Sequence, residues 1–151
     1  MLQLNLPAYN FRFQKSGQKL KIYDMVRRAY VALTPEEWVR QHFIMFLINE
    51  KKVPASHIMI EKSIKQHNLL KRFDALVVNN KMEPAIILEF KAPDVKLSED
   101  VFEQINIYNL AVDAYYLIIS NGLQHFAYVY NKNEENYKKI NINDLPLYTE
   151  L

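Results

Sequence analysis

The 151-residue chain contains no cysteine, which removes disulfides, thiolate zinc sites and cysteine nucleophiles together and fits a reducing compartment. Glycine occurs only at Gly17 and Gly122, so neither a phosphate-cradling loop nor a dinucleotide fingerprint can be written. The longest apolar run, FIMFLI at 43–48, falls far short of the roughly 20 residues of a membrane span. The opening MLQLNLPAYNFRF has no basic stretch before an apolar core, so no secretory leader is expected and cytoplasm is the expected location. A large excess of either charge is lacking as well. The formal net charge is +2, and binding to a polyanion would have to come from a local cluster.

What is present is ordinary globular material: 50% hydrophobic and 24% charged residues, with aromatics high at 13%. With no repeats, low-complexity tracts or Gly/Ser linkers, one domain over residues 1–151 is expected, with an N-terminal β extension over 1–33, a core over 34–130 and a C-terminal extension over 131–151. In the first part NFRFQ alternates, SGQ turns, LKIYD returns and RRAYVAL continues extended, which predicts a hairpin or meander. Thr34-Pro35-Glu36-Glu37 then has the grammar of a helix start, with a capping Thr, Pro at the first helical position and Glu three residues after the cap. Val39, Phe43, Phe46 and Leu47 mark one helical face, widened by Trp38, Met45 and Ile48, to about Lys51. Pro54 ends it.

Three closely spaced strands are predicted next, one after His57, where Ile58, Ile60 and Lys62 alternate against Met59, Glu61 and Ser63, one over residues 72–79 and one over 85–91, paired antiparallel across an Asn79-Asn80-Lys81 turn. Ser98 caps a second predicted helix, running to about Val112, with Val101, Phe102, Ile105 and Tyr108 at helical spacing. AYYLIIS at 114–120, a turn at Asn121-Gly122 and HFAYVYN at 125–131 follow. Strand, helix, strand predicts a parallel crossover. The remaining tail, YKKINI and DLPLYTEL, is a candidate to add one edge strand.

Charged residues are seldom buried without compensation, yet RFDALVV and AIILEFK carry Asp74, Glu89 and Lys91 into apolar strands. Side chains alternate along a strand, so Glu89 and Lys91 share one face and Phe90 takes the other. If Asp74 lies opposite, two carboxylates converge where a hard divalent cation such as Mg²⁺ can sit, with the Phe90 carbonyl as a further ligand and waters or a phosphate oxygen completing the shell. Such an ion polarises a phosphodiester, and Lys91 can orient water or stabilise transition-state charge. An isolated Glu-x-Lys at a strand end is also commonly a solvated pair; the pairing with Asp74 is what distinguishes this one.

The pattern D-x14-E-x-K, from Asp74 through Glu89 to Lys91, resembles the PD-(D/E)xK nuclease superfamily. LTPEEWVRQ at 33–41, EKSI at 61–64, KRFD at 71–74, LEFKAP at 88–93, VFEQINIYN at 101–109 and LIISNGLQHF at 117–126 look like the N-terminal nuclease domain of type I restriction enzyme R subunits, over roughly residues 20–130. The resemblance implies an α/β fold with a restriction-endonuclease-like mixed sheet flanked by helices. It also implies Mg²⁺- or Mn²⁺-dependent hydrolysis of DNA, with Asp74 and Glu89 as metal ligands and Lys91 as the catalytic lysine. Gln104 corresponds to a glutamine that positions substrate or water in such nucleases, and an edge-of-core glutamine is the alternative. Glu37 maps onto the first-helix acid of the family, but it is equally placed as a capping-box residue, with Glu36 the alternative acid.

The family's proline before the first acid is replaced here by Phe73, which leaves the substrate type open. The R subunit's ATP-driven motor has no counterpart, so a protein partner supplying targeting or motor function is one expectation and a catalytically silent binding or assembly module is another. Lys62, Lys65, Lys71, Arg72 and Lys96 are candidate phosphate contacts or a solvated basic rim. Tyr108, Tyr115, Tyr116 and His125 are candidates to line a path to the site, or plain core and rim residues. No histidine pair has metal-ligand spacing.

Overall fold

A computed structural model of the chain describes residues 2–61, 63–66, 69–98, 103 and 112–151, with the backbone alone over 63–66 and 69–71. It begins with an antiparallel meander of β1 (Phe13–Ser16), β2 (Lys19–Asp24) and β3 (Ala29–Ala32). Gly17, at φ 61°, makes the first turn, where the left-handed backbone favours glycine. In the second, the buried Asp24 accepts the N–H groups of Val26 and Arg27, both at 2.8 Å.

Helix α1 (Pro35–Asn49) starts as its sequence predicts, with Thr34 Oγ accepting the Glu37 N–H at 3.0 Å. Only half of the expected capping box forms, because the Glu37 carboxylate turns to Arg40 and Gln41 instead. Val39, Phe43 and Leu47 are fully buried against Leu88 and Phe90 of the main sheet, and each such side chain contributes about 1.5–3 kcal/mol by leaving water. Trp38, half-buried at the margin of this core, also meets Phe11 and Phe13 at the N-terminal sheet.

The main sheet has the order β11-β10-β9-β8-β7-β4, from β4 (Ile58–Ile60), β7 (Ala75–Val78), β8 (Pro84–Phe90), β9 (Tyr116–Ser120), β10 (His125–Asn131) and β11 (Asn136–Ile140). Only β8 and β9 run parallel. This is a mixed α/β architecture with the predicted parallel crossover and edge strand in place. The helix expected over 99–112 lies outside the described residues, apart from Glu103, which is helical, and Val112, which is in a turn.

Two boundaries differ from the sequence pattern. The alternation starting at Ile58 does not continue through Ser63. Glu61 takes φ 52°, and the chain leaves the main sheet to form a separate hairpin of β5 (Ser63–Gln66) and β6 (Leu69–Arg72). The strand expected over 72–79 is accordingly split at Phe73-Asp74. Apolar alternation reads through such a break because it reports burial and not the pairing partner.

Candidate active site

Asp74 stands in this break, just before β7, where its main-chain carbonyl accepts the Glu61 N–H at 2.9 Å. Its Oδ2 accepts the main-chain N–H of Phe90 at 2.7 Å. Ala75 pairs with Leu88, so one residue earlier Asp74 comes level with Glu89; Glu89 follows Ile87 on the sheet face away from α1, while Asp74, in the break, also reaches Arg40 of α1. Lys91 Nζ donates to Glu89 Oε1 at 2.8 Å. The three side chains are 19%, 20% and 29% exposed for Asp74, Glu89 and Lys91, which leaves them partly sheltered but reachable.

Electrostatics bind them into one unit. Burial and then the charge of Asp74 push the Glu89 carboxyl above its ordinary range, partly offset by Lys91. Burial would lower the Lys91 ammonium, but its hydrogen bond to Glu89 and the charges of Glu89, Asp74 and Glu36 hold it above its ordinary value. Among the described residues, the ion pairs around the site join six carboxylates, Asp24, Glu36, Glu37, Glu61, Asp74 and Glu89, to four cations, Arg27, Arg40, Arg72 and Lys91, which leaves an excess of negative charge.

That excess is what a divalent cation would neutralise. In an extended strand the N–H and C=O of one residue face the same neighbour; since the Phe90 N–H meets Asp74, its carbonyl is turned to that side too. Two carboxylates and one carbonyl fit Mg²⁺, which is held through few protein ligands and keeps its waters. No group of three or more His, Cys, Asp and Glu suited to a metal occurs among the described residues, so the donor set rests on these two acids and the backbone.

The chief residue that the sequence pattern missed is Arg40. It is 4% exposed and lies 2.7 Å from Glu37, 3.4 Å from Glu36, 3.4 Å from Asp74 and 3.6 Å from Glu61. Arg27, from the turn between β2 and β3, adds contacts to Asp24 at 3.4 Å and to Glu37 and Glu61, both at 3.5 Å. The signal available was the three- and four-residue spacing of Glu37 and Glu36 from Arg40 on one helical face. Glu37 reaches Asp74 only through Arg40, being tied inward by Arg40 and Gln41, each at 2.7 Å. Glu36 is the first-turn acid whose charge acts on both Glu89 and Lys91.

Of the proposed phosphate contacts, Arg72 is 62% exposed but paired with Glu61 at 2.9 Å, and Lys96 lies exposed in the loop after Lys91. Lys65 and Lys71 fall on β5 and β6, opposite Leu70 and Ile64. Lys62, Gln104 and Tyr108 lie outside the described residues.

The suggested aromatic path is not formed by the others. The parallel register sets Tyr116 opposite Ile86 and Ser120 opposite Phe90, so Tyr115 and Tyr116 sit at the far end of the strands from Glu89. His125 stacks on Phe43 of α1, on the opposite sheet face. It serves as a clasp, with Nε2 donating to the Asn5 carbonyl at 2.9 Å and Nδ1 accepting from Ser120 Oγ at 2.8 Å.

Residues 35–146 match the family described as the type I restriction enzyme R protein N terminus (HSDR_N). The chain belongs to this family. The matched span of this R-protein N-terminal domain contains α1, Arg40 and the Asp74, Glu89 and Lys91 group, and leaves the β1–β3 meander outside. No curated protein matches the chain. Among the described residues of this family member, no helix is long and apolar enough to cross a membrane.

Proposed function

We propose that this domain is a Mg²⁺-dependent deoxyribonuclease of the PD-(D/E)xK type, acting on the phosphodiester backbone of DNA. The observation that carries the reading is the convergence of Asp74 and Glu89 from neighbouring parts of one sheet, with Lys91 on Glu89. Asp74, Glu89 and the Phe90 carbonyl would hold Mg²⁺, or Mn²⁺ in its place, and the bound ion would supply Lewis-acid activation of the phosphodiester. Lys91, kept protonated by its neighbours, is positioned to donate to a phosphate oxygen and to stabilise charge developing there. Arg40 holds Asp74 in place from behind. Gln104 is retained as a positioning residue from the resemblance, and Glu37 acts through Arg40.

The family also makes DNA the expected partner and a protein supplying targeting or motor function a reasonable second one. A second reading is a binding or assembly module with the same fold and no hydrolysis. It draws on Arg40, whose fixed cation already lies 3.4 Å from Asp74 and competes for its charge.

Cleavage of plasmid and linear DNA in Mg²⁺ or Mn²⁺ separates the two. The nuclease reading expects metal-dependent cleavage that Asp74→Ala and Lys91→Ala each lower by about 10² or more. Equal cleavage by all three proteins would refute this active site, and metal-independent binding without cleavage would select the second reading.

A further inference from the structure

The β1–β3 meander lies outside the family match, and its charge is unlike that of the rest of the chain. Residues 11–33 hold six of the nineteen basic residues and one of the seventeen acidic ones, so the remainder of this +2 chain is net acidic. On β2, Ile22 and Asp24 are buried while Lys19, Lys21 and Tyr23 alternate with them, and residues opposite one another in an antiparallel pair share a face. Tyr30 is opposite Tyr23. The Tyr23 N–H donates to the Arg12 carbonyl at 2.9 Å, which carries the ladder on to Arg12. The Arg12 guanidinium lies 4.1 Å from the centre of the Tyr23 ring, and Tyr30 meets Tyr23 edge-on at 5.2 Å.

One face thus presents Arg12, Lys19 and Lys21 around two tyrosines. Among the described residues no carboxylate forms an ion pair with any of these three cations. Arg27, at the turn of the same sheet, is by contrast engaged by Asp24, Glu37 and Glu61. Those contacts tie the sheet to the carboxylate cluster that Arg40 extends to Asp74.

We propose that this outer face of β1–β3 is a docking surface for the backbone of duplex DNA, held in fixed relation to the Asp74 and Glu89 site. Unpaired cations beside aromatic rings complement phosphates and sugars, and each phosphate neutralised releases a counterion. The choice of DNA as the polyanion rests on the nuclease reading; the charge and facing of the surface do not.

The test is fluorescence anisotropy of a labelled duplex in EDTA across about 50–200 mM salt, with folding of each protein checked by circular dichroism. Lys21→Gln is expected to weaken binding and to make the slope of log K against log salt shallower by about 0.9, and Arg12→Gln/Lys19→Gln/Lys21→Gln by up to three times that. Lys15→Gln removes an exposed charge from the opposite face of the same sheet and is expected to leave the slope unchanged.

Equal slopes for Lys15→Gln and Lys21→Gln, or no duplex binding by wild type at 50 mM salt, would overturn the surface. Tighter binding of single-stranded RNA would overturn the choice of duplex DNA. Cleavage by the same proteins is scored separately. A slope change without metal-dependent cleavage leaves the surface standing and the nuclease reading refuted, and cleavage without a slope change does the reverse.

Discussion

Asp74 accepts the main-chain N–H of Phe90 at 2.7 Å, so a carboxylate takes the place that a strand carbonyl would fill had β6 and β7 been continuous. The same contact aligns Asp74 with Glu89 and turns the Phe90 carbonyl toward it. A break in a strand is therefore what assembles the site.

Glu89 responds to pH and metal in a defined direction. Its folded pKa lies above the ordinary 4.5 because of burial and the Asp74 charge. The stability it contributes is therefore complete below about that pH and is lost as pH rises through the raised value. Above the raised value the ionised group opposes folding, so Glu89→Gln is expected to raise the Tm of the metal-free protein there, with the gain shrinking as pH falls toward 4.5. Excess Mg²⁺ is expected to reverse the order, because saturation at a hundred times Kd stabilises wild type by about 2.7 kcal/mol and the variant loses a ligand. Thermal unfolding with and without Mg²⁺ checks both; an unchanged order would exclude Glu89 as a ligand.

Arg40 and Glu37 form a buried pair whose members depend on each other. Removing one partner of such a pair costs about 3–5 kcal/mol, since the other charge stays buried. Arg40→Met is expected to fall in that range by urea unfolding. Glu37→Gln/Arg40→Met is expected to cost less than the sum of its parts by about 0.5–3 kcal/mol. Strict additivity would show that Glu37 is satisfied without Arg40.

The His125 clasp predicts sensitivity to acid. Burial lowers the His125 pKa below 6.5 despite its bond to the Asn5 carbonyl, and burial lowers that of His42 as well. The folded state therefore resists protonation. Stability present above about pH 6.5 is lost as pH falls through the lowered folded values. Calorimetry from pH 7.5 to 5 is expected to show a falling Tm for wild type and a shallower fall for His125→Gln, with the His42 contribution remaining. Parallel curves would place the acid sensitivity elsewhere.

Local chemistry was the readable part. The TPEE start of α1, the turn at Gly17, the Asn79 turn and the apolar strand expected over 85–91 all follow from interactions within a few residues, and the structure has each of them, the strand one residue earlier at 84–90. The candidate triad was visible as well, because alternation puts Glu89 and Lys91 on one face wherever that strand lies. The left-handed backbone at Glu61 and the split at Asp74 were not visible, since a non-glycine residue at positive φ carries no compositional mark.

By itself the sequence determined the helix start, the strand faces, the family and the three residues that carry the proposed chemistry, because capping, pleating and spacing are short-range properties of the chain. Only the tertiary structure decided that Asp74 is aligned through the Phe90 N–H, that Arg40 binds carboxylates from α1, the residue after β4 and the break before β7, and that Tyr116 and His125 stand away from the site. These relationships depend on register and on which surfaces meet, and ion pairs between residues far apart in the chain exist only once hydrophobic packing has brought their elements together.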